Sequence, residues 1–238
     1  MTTFVMIHGA WHGGWSFEPL RARIEGAGHA LVAPDLPGMG TAAPTLAQWG
    51  DFAAALCRAA RPGKVILCGH SRGGIVVSQA AETTPEAIDA SVYICAMLIP
   101  PGMSRADWKA RQVPNPAFDA IIRPGPGYST IDTAHAIPVF AQLSPPDAAA
   151  DAMTRLAGEP NGPRGTPLML TPERYGSVPR HYIECLHDRT IPIADQRAMQ
   201  AMQPCASVRS LEADHSPFLS APDALADALL QIAETVAQ

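Results

Sequence analysis

The sequence predicts an α/β fold: a mostly parallel central sheet flanked by helices, with a long insertion. Three observations carry this. Phe4-Val5-Met6-Ile7 and Val65-Ile66-Leu67-Cys68 are short, continuously apolar runs, the mark of strands covered on both faces. The stretches between such runs repeat apolar residues at helical spacing. The order strand, helix, strand, helix, strand, helix, strand over the N-terminal part suits a parallel sheet, with its site at the carboxyl ends of the strands.

In chain order, the Phe4–Ile7 run ends in His8-Gly9-Ala10-Trp11-His12-Gly13-Gly14-Trp15, too irregular for helix or strand. Ser16 is placed to cap a helix through Leu20, Ile24 and Ala27 that Gly28 stops. Ala30 to Ala33 reads as a strand. Thr45 is a candidate N-cap for a helix to Ala60, with Leu46, Trp49, Phe52, Ala53 and Leu56 on one face. The next strand runs into Gly69-His70-Ser71-Arg72-Gly73-Gly74 and a helix over Ile75 to Glu82, and Ser91 to Met97 is a further strand. From 100 to 179 the texture changes: proline recurs, helical patches are short (Ser104 to Arg111, Pro146 to Leu156), and no strand is clear. That length is too great for an ordinary loop and too poor in apolar periodicity for a separate core. It reads as a lid inserted into a core of residues 1–99 and 180–238. The α/β pattern then resumes with a strand over Tyr182 to Leu186, a helix over Ala194 to Met202, a strand over Val208 to Leu211 and a closing helix from Ala224 to Val236.

Composition narrows the function. The chain has 238 residues, 47% hydrophobic and 16% charged, ample for a buried core. A net charge of −5 without a basic run argues against nucleic acid as a partner. Five cysteines occur singly, an odd number without a Cys-x-x-Cys pair, which favours a reducing compartment. The apolar run at the N-terminus is too short for a signal-peptide core or a membrane span, so the expectation is a cytoplasmic protein without a membrane partner.

The chemistry-bearing stretch is Gly69-His70-Ser71-Arg72-Gly73. Gly-x-Ser-x-Gly between a buried strand and a helix is the context of a nucleophile elbow; on its own it could be an ordinary turn with a capping serine. A serine hydroxyl needs a base, and the base an orienting acid, in the chain order Ser, acid, His. Among eight histidines, His215 alone lies in a loop after the last strand, while His187 adjoins the acid candidate. Asp188 closes the preceding strand at the same sheet edge; Asp195 falls within a helix, and Asp214 is too close to His215 in sequence to face its Nδ1. An oxyanion would sit between the backbone N–H groups of Ala10 and Arg72. His8 and His12 lack the helical face a metal pair at that spacing needs. Asp35 reads as a turn-former. No dinucleotide or Walker A loop is present, so no cofactor or metal is expected. Trp108 and Phe118 either line a pocket or anchor the lid.

Four stretches together resemble the methyl esterase and hydroxynitrile lyase branch of the α/β-hydrolases: His8 to Trp15, Gly69 to Gly74, Arg174-Tyr175-Gly176-Ser177-Val178 with Asp188-Arg189-Thr190-Ile191-Pro192, and Ala213-Asp214-His215. The resemblance implies an α/β-hydrolase fold, Ser71, Asp188 and His215 in the triad roles, Ala10 and Arg72 as oxyanion amides, and a lid over an apolar pocket. It implies a serine carboxylesterase acting on small esters. The alternatives are lyase-type C–C cleavage, or a non-catalytic small-molecule receptor on the same fold. The lyases of this branch carry threonine at the position of Gly9 and lysine at that of Ser216, so the residues here favour hydrolysis. Arg72, where the branch commonly has an apolar residue, has no role the sequence reveals. The sequence leaves the oligomeric state open, a homodimer included.

Overall fold

The structure is a computed structural model and describes residues 1–40 and 44–237, with side chains through 236. Its central sheet has six parallel strands: β1 (Thr2–Ile7), β2 (Ala30–Val32), β3 (Lys64–His70) and β4 (Ala90–Ile94) from the N-terminal part, then two C-terminal strands. The segment after β4 contributes three short strands of a separate sheet, β5 (Ile122–Pro124), β6 (Tyr128–Ile131) and β7 (Glu159–Pro160); β8 (Arg180–Cys185) and β9 (Ser207–Leu211) complete the central one. The central order is β2-β1-β3-β4-β8-β9. Registers such as Ile7 opposite Gly69 and His70 opposite Ile94 bring the carboxyl ends of β1, β3 and β4 level.

Strand periodicity splits the core into two layers. Val5, Ile7, Val65 and Leu67 face the helices α2 (Leu46–Ala59) and α3 (Gly73–Thr83). Phe4, Met6, Ile66 and Cys68 face α1 (Arg21–Gly26) and the C-terminal helix Pro222–Ala237. Thr45 closes a full capping box, accepting from Gln48 N–H at 3.1 Å while Gln48 Oε1 accepts from Thr45 N–H at 2.8 Å. Gly28, at φ +80°, stops α1 as expected.

Two local expectations are corrected. Ser16 caps nothing: it is buried inside a 3-10 turn, Gly14–Leu20, that precedes α1. Residues 100–179 are not devoid of strands, because β5, β6 and β7 form a three-stranded antiparallel sheet there. Each is so short, and so rich in Gly and Pro at its ends, that no alternating pattern builds up. This segment's apolar cluster, including Phe118, Ile131, Val139 and Phe140, is completed by Trp11 from the loop after β1. Trp11 meets Phe118 edge-on at 6.0 Å and donates its indole N–H to Ser129 O at 3.1 Å.

Candidate active site

Ser71 sits at the apex between β3 and α3 with φ +52°, in the left-handed region. Such backbone is costly for a residue with a Cβ, and it holds here because both flanks are fixed. Ser71 N–H donates to Ile94 O at 3.2 Å, and Met97 N–H donates to Ser71 O at 2.9 Å. Gly73 admits the tight approach to β1: a Cβ there would lie 2.5 Å from Ile7 O. The hydroxyl is thereby lifted clear of the sheet while the residue stays 7% exposed.

The other two expected residues converge on it. His215 Nε2 lies 3.0 Å from Ser71 Oγ, and His215 Nδ1 lies 2.7 Å from Asp188 Oδ2. The imidazole is buried, and Asp188 is buried with it. A carboxylate can only accept, so Nδ1 carries the proton and Nε2 faces the hydroxyl bare. Asp188 also caps a turn: Oδ1 accepts from Thr190 N–H at 2.7 Å and Ile191 N–H at 2.8 Å, which fixes its orientation. His187, the neighbour, turns outward to Glu212 at 2.6 Å. Asp214 does not face Nδ1. It accepts from Leu143 N–H, Ser144 Oγ, Ser216 N–H and Ser220 Oγ, joining the His215 loop to residues 143–144.

Ala10 and Arg72 line the same pocket as Ser71. Neither main-chain N–H takes an acceptor among the described residues. Phe118 lines the pocket and also packs in the insertion's cluster, so both readings of it hold; Trp108 is buried in the larger core instead.

The remaining histidines here are neutral packing groups. His8 donates from Nδ1 to Gly9 O and accepts Leu36 N–H at Nε2, and burial, with the Arg72 charge second, pushes its pKa down to about 3. Burial likewise holds His12 down at about 4. His70 donates from Nε2 to His215 O at 2.7 Å, and burial keeps it well below the usual histidine value. Asp35 accepts Gly14 N–H at 2.7 Å, in keeping with a turn role.

Arg72 finds its partner in Glu159, a residue the sequence did not single out. The Arg72 guanidinium lies 2.8 Å from Glu159 Oε1, donates to Oε2 and to Gly9 O at 3.1 Å each, and stacks 4.3 Å from the Trp49 ring. Glu159 Oε2 also accepts from Trp11 N–H at 3.3 Å. Burial raises the Glu159 carboxyl's pKa, and the adjoining Arg72 charge opposes this. One carboxylate of β7 thus joins the elbow, the loop after β1 and the insertion. The only sequence signal was the anomaly of Arg72 itself, a buried cation that needs an anion.

A central parallel sheet with a serine at its elbow, faced by histidine and aspartate from the C-terminal loops, defines the class of α/β-hydrolase-like proteins. A model of the alpha/beta hydrolase family matches residues 4–228, and the chain belongs to that family. It is 32% identical to the pyrethroid hydrolase of Sphingobium wenxiniae, with all of this chain and 90% of that protein covered. It is 30% identical to methylesterase 7 of Arabidopsis thaliana, over 98% of this chain and 97% of that one. Its structure is similar to that of a pyrethroid hydrolase from Sphingobium faniae, with a TM-score of 0.88 and 30% identity over 98% and 97% of the two chains.

Proposed function

We propose that Ser71, His215 and Asp188 hydrolyse small carboxylic esters through an acyl-enzyme. The chain is a carboxylic ester hydrolase, in line with relatives named methylesterase, pyrethroid hydrolase and polyneuridine aldehyde esterase. The observation that carries the catalytic assignment is the buried line from Asp188 Oδ2 through His215 to Ser71 Oγ, at 2.7 and 3.0 Å.

In this reading His215 Nε2 takes the hydroxyl proton as Ser71 Oγ attacks the ester carbonyl carbon. The oxyanion forms against the Ala10 and Arg72 amides. Asp188 stabilises the imidazolium without accepting its proton. His215 then protonates the departing alcohol, and by the reverse transfer activates the water that releases the acid. Residues 100–179 act as the cap over this pocket, which their packing on Trp11 supports.

The lyase alternative is not favoured. The backbone at Gly9 passes so close to the elbow that a Cβ would lie 2.8 Å from His70 Nδ1 and 2.9 Å from Ser71 Cβ, leaving no room for a threonine without displacing one of them. No helix among the described residues is long and apolar enough to cross a membrane. A cytoplasmic setting is supported by five unpaired cysteines, four of them buried.

Hydrolysis of p-nitrophenyl butyrate tests the reading. The parent should give a burst and the Ser71→Ala variant should lose about 10⁴-fold or more in kcat while remaining folded. Full activity in Ser71→Ala, or cyanide release from mandelonitrile without ester turnover, overturns it.

A further inference from the structure

The pocket in front of Ser71 is lined by four cationic side chains and two carboxylates, Glu159 and Asp195. Arg72, Arg105, Lys109 and Arg164 all line it. Two of them are neutralised: Arg72 by Glu159, and Lys109 by Asp119. Arg105 and Arg164 have neither an ion pair nor a side-chain hydrogen bond to any described residue. Both come from the insertion, where the helix Arg105–Lys109 packs on the 3-10 turn Gly162–Gly165. Their charges act on one another. Burial, and next to it the like charge of Arg164, pulls the Arg105 pKa down to about 10, while Asp119 and Glu159 only partly offset this through space. Of the pocket's two carboxylates, Glu159 and Asp195, Glu159 is taken up by Arg72.

Two guanidiniums close together in a half-buried wall, neither in a direct ion pair with a described residue, are less favourable in the empty protein. They become favourable when an anion enters, because each presents a planar fork suited to a carboxylate. We propose that Arg105 and Arg164 form a carboxylate subsite, and that the preferred substrates are esters bearing a free carboxylate at the end remote from the scissile bond. This rests on the ester-hydrolase reading of Ser71 and adds the substrate's charge to it. The pair is a specificity determinant: it holds the distal group and takes no part in proton transfer.

Four esters test this on the full chain: monomethyl glutarate against dimethyl glutarate, and 4-acetoxybutanoate against its methyl ester. The first pair carries the carboxylate on the acyl side and the second on the alcohol side. The expected result is that kcat/KM for the anionic member exceeds that for its neutral partner by about 10- to 100-fold in at least one pair, mainly through KM. In the double variant Arg105→Gln, Arg164→Gln that ratio should collapse towards one, and raising salt should lower it in the parent. A direct reading of binding uses Ser71→Ala, which should bind the anionic ester more tightly than the neutral one by calorimetry. If the parent cleaves the neutral member of both pairs as well as the anionic one, and the arginine replacements leave the ratios unchanged, the subsite is overturned while hydrolysis stands. If no ester is cleaved but Ser71→Ala still prefers the anion, the subsite stands and the hydrolase reading falls.

Discussion

The central sheet and the insertion between β4 and β8 are built by different rules. Every strand of the sheet is parallel and its inner strands are covered on both faces, so each residue's side follows from alternation: Val5 and Ile7 go to one layer, Phe4 and Met6 to the other. The insertion has strands of two to four residues and a cluster that needs Trp11 from outside to complete it. The first region holds Ser71, Asp188 and His215 on the ends of the sheet's strands. The second supplies Arg105, Phe118 and Glu159, which line what lies in front of them. In the proposed reading the reaction geometry rests on the sheet and the fitting of substrate on the insertion, with Glu159 and Arg72 joining the two.

The sharpest way to break that division is at its junction, Glu159. Glu159→Ala leaves the Arg72 guanidinium buried without its anion, and should cost about 3–5 kcal/mol of stability in denaturant unfolding. Replacing both members, Arg72→Leu with Glu159→Leu, should recover most of that loss, because two desolvated charges then disappear together. Recovery would mean that the pair specifies how the two regions meet and contributes little net stability. A double variant as unstable as Glu159→Ala would mean instead that the two regions depend on the ion pair for their stability.

Gly9 tests the rigid side. An alanine Cβ must move either the His70 ring, which is tied by Nε2 to His215 O at 2.7 Å, or Ser71 itself. Either movement displaces the Ser71–His215 contact. Displacements of about 1 Å can cost about 100-fold, so Gly9→Ala should lower kcat/KM by that order. Ester kinetics within twofold of the parent would show that the elbow has slack that its packing does not suggest.

The two regions also differ in how far the sequence disclosed them. The middle of the sheet was legible because burial on both faces forces continuous apolar runs in β1, β3 and β4, and the β3 run ends at Gly69 beside the site. Ser71, Asp188 and His215 followed from chain order and loop position, since a parallel sheet places successive strand ends on one edge. The insertion was not legible in this way. Strands as short as Glu159–Pro160 produce no periodicity, and the Ser16 turn shows how a good capping residue is overridden when packing buries it. Glu159 lies 87 residues from Arg72, and a pairing at that distance leaves no local trace beyond the oddity of an arginine at a buried elbow.

The smallest predicted effect concerns the loop after β1, where His8 and His12 are buried neutral. The folded pKa of His8 is about 3, against 6.5 for a free histidine. At pH 7 both states are mostly unprotonated and the group is nearly indifferent to folding. Below about pH 6.5 the unfolded chain takes up a proton that the folded protein refuses, so stability falls with falling pH until the folded value is reached. Between pH 7 and pH 5 this amounts to about 2 kcal/mol for His8, with His12 contributing a similar amount at its folded pKa of about 4. His8→Gln replaces a titrating group by one that is neutral in both states. Its stability at pH 7 should be below the parent's, because the paired contacts to Gly9 O and Leu36 N–H are disturbed. Its further loss on going to pH 5 should nonetheless be smaller than the parent's by about 2 kcal/mol, measured by denaturant unfolding at both pH values. Equal slopes would mean that His8 is protonated in the folded protein, and hence that the loop beside Gly9 and Ala10 is open to water rather than sealed against β3.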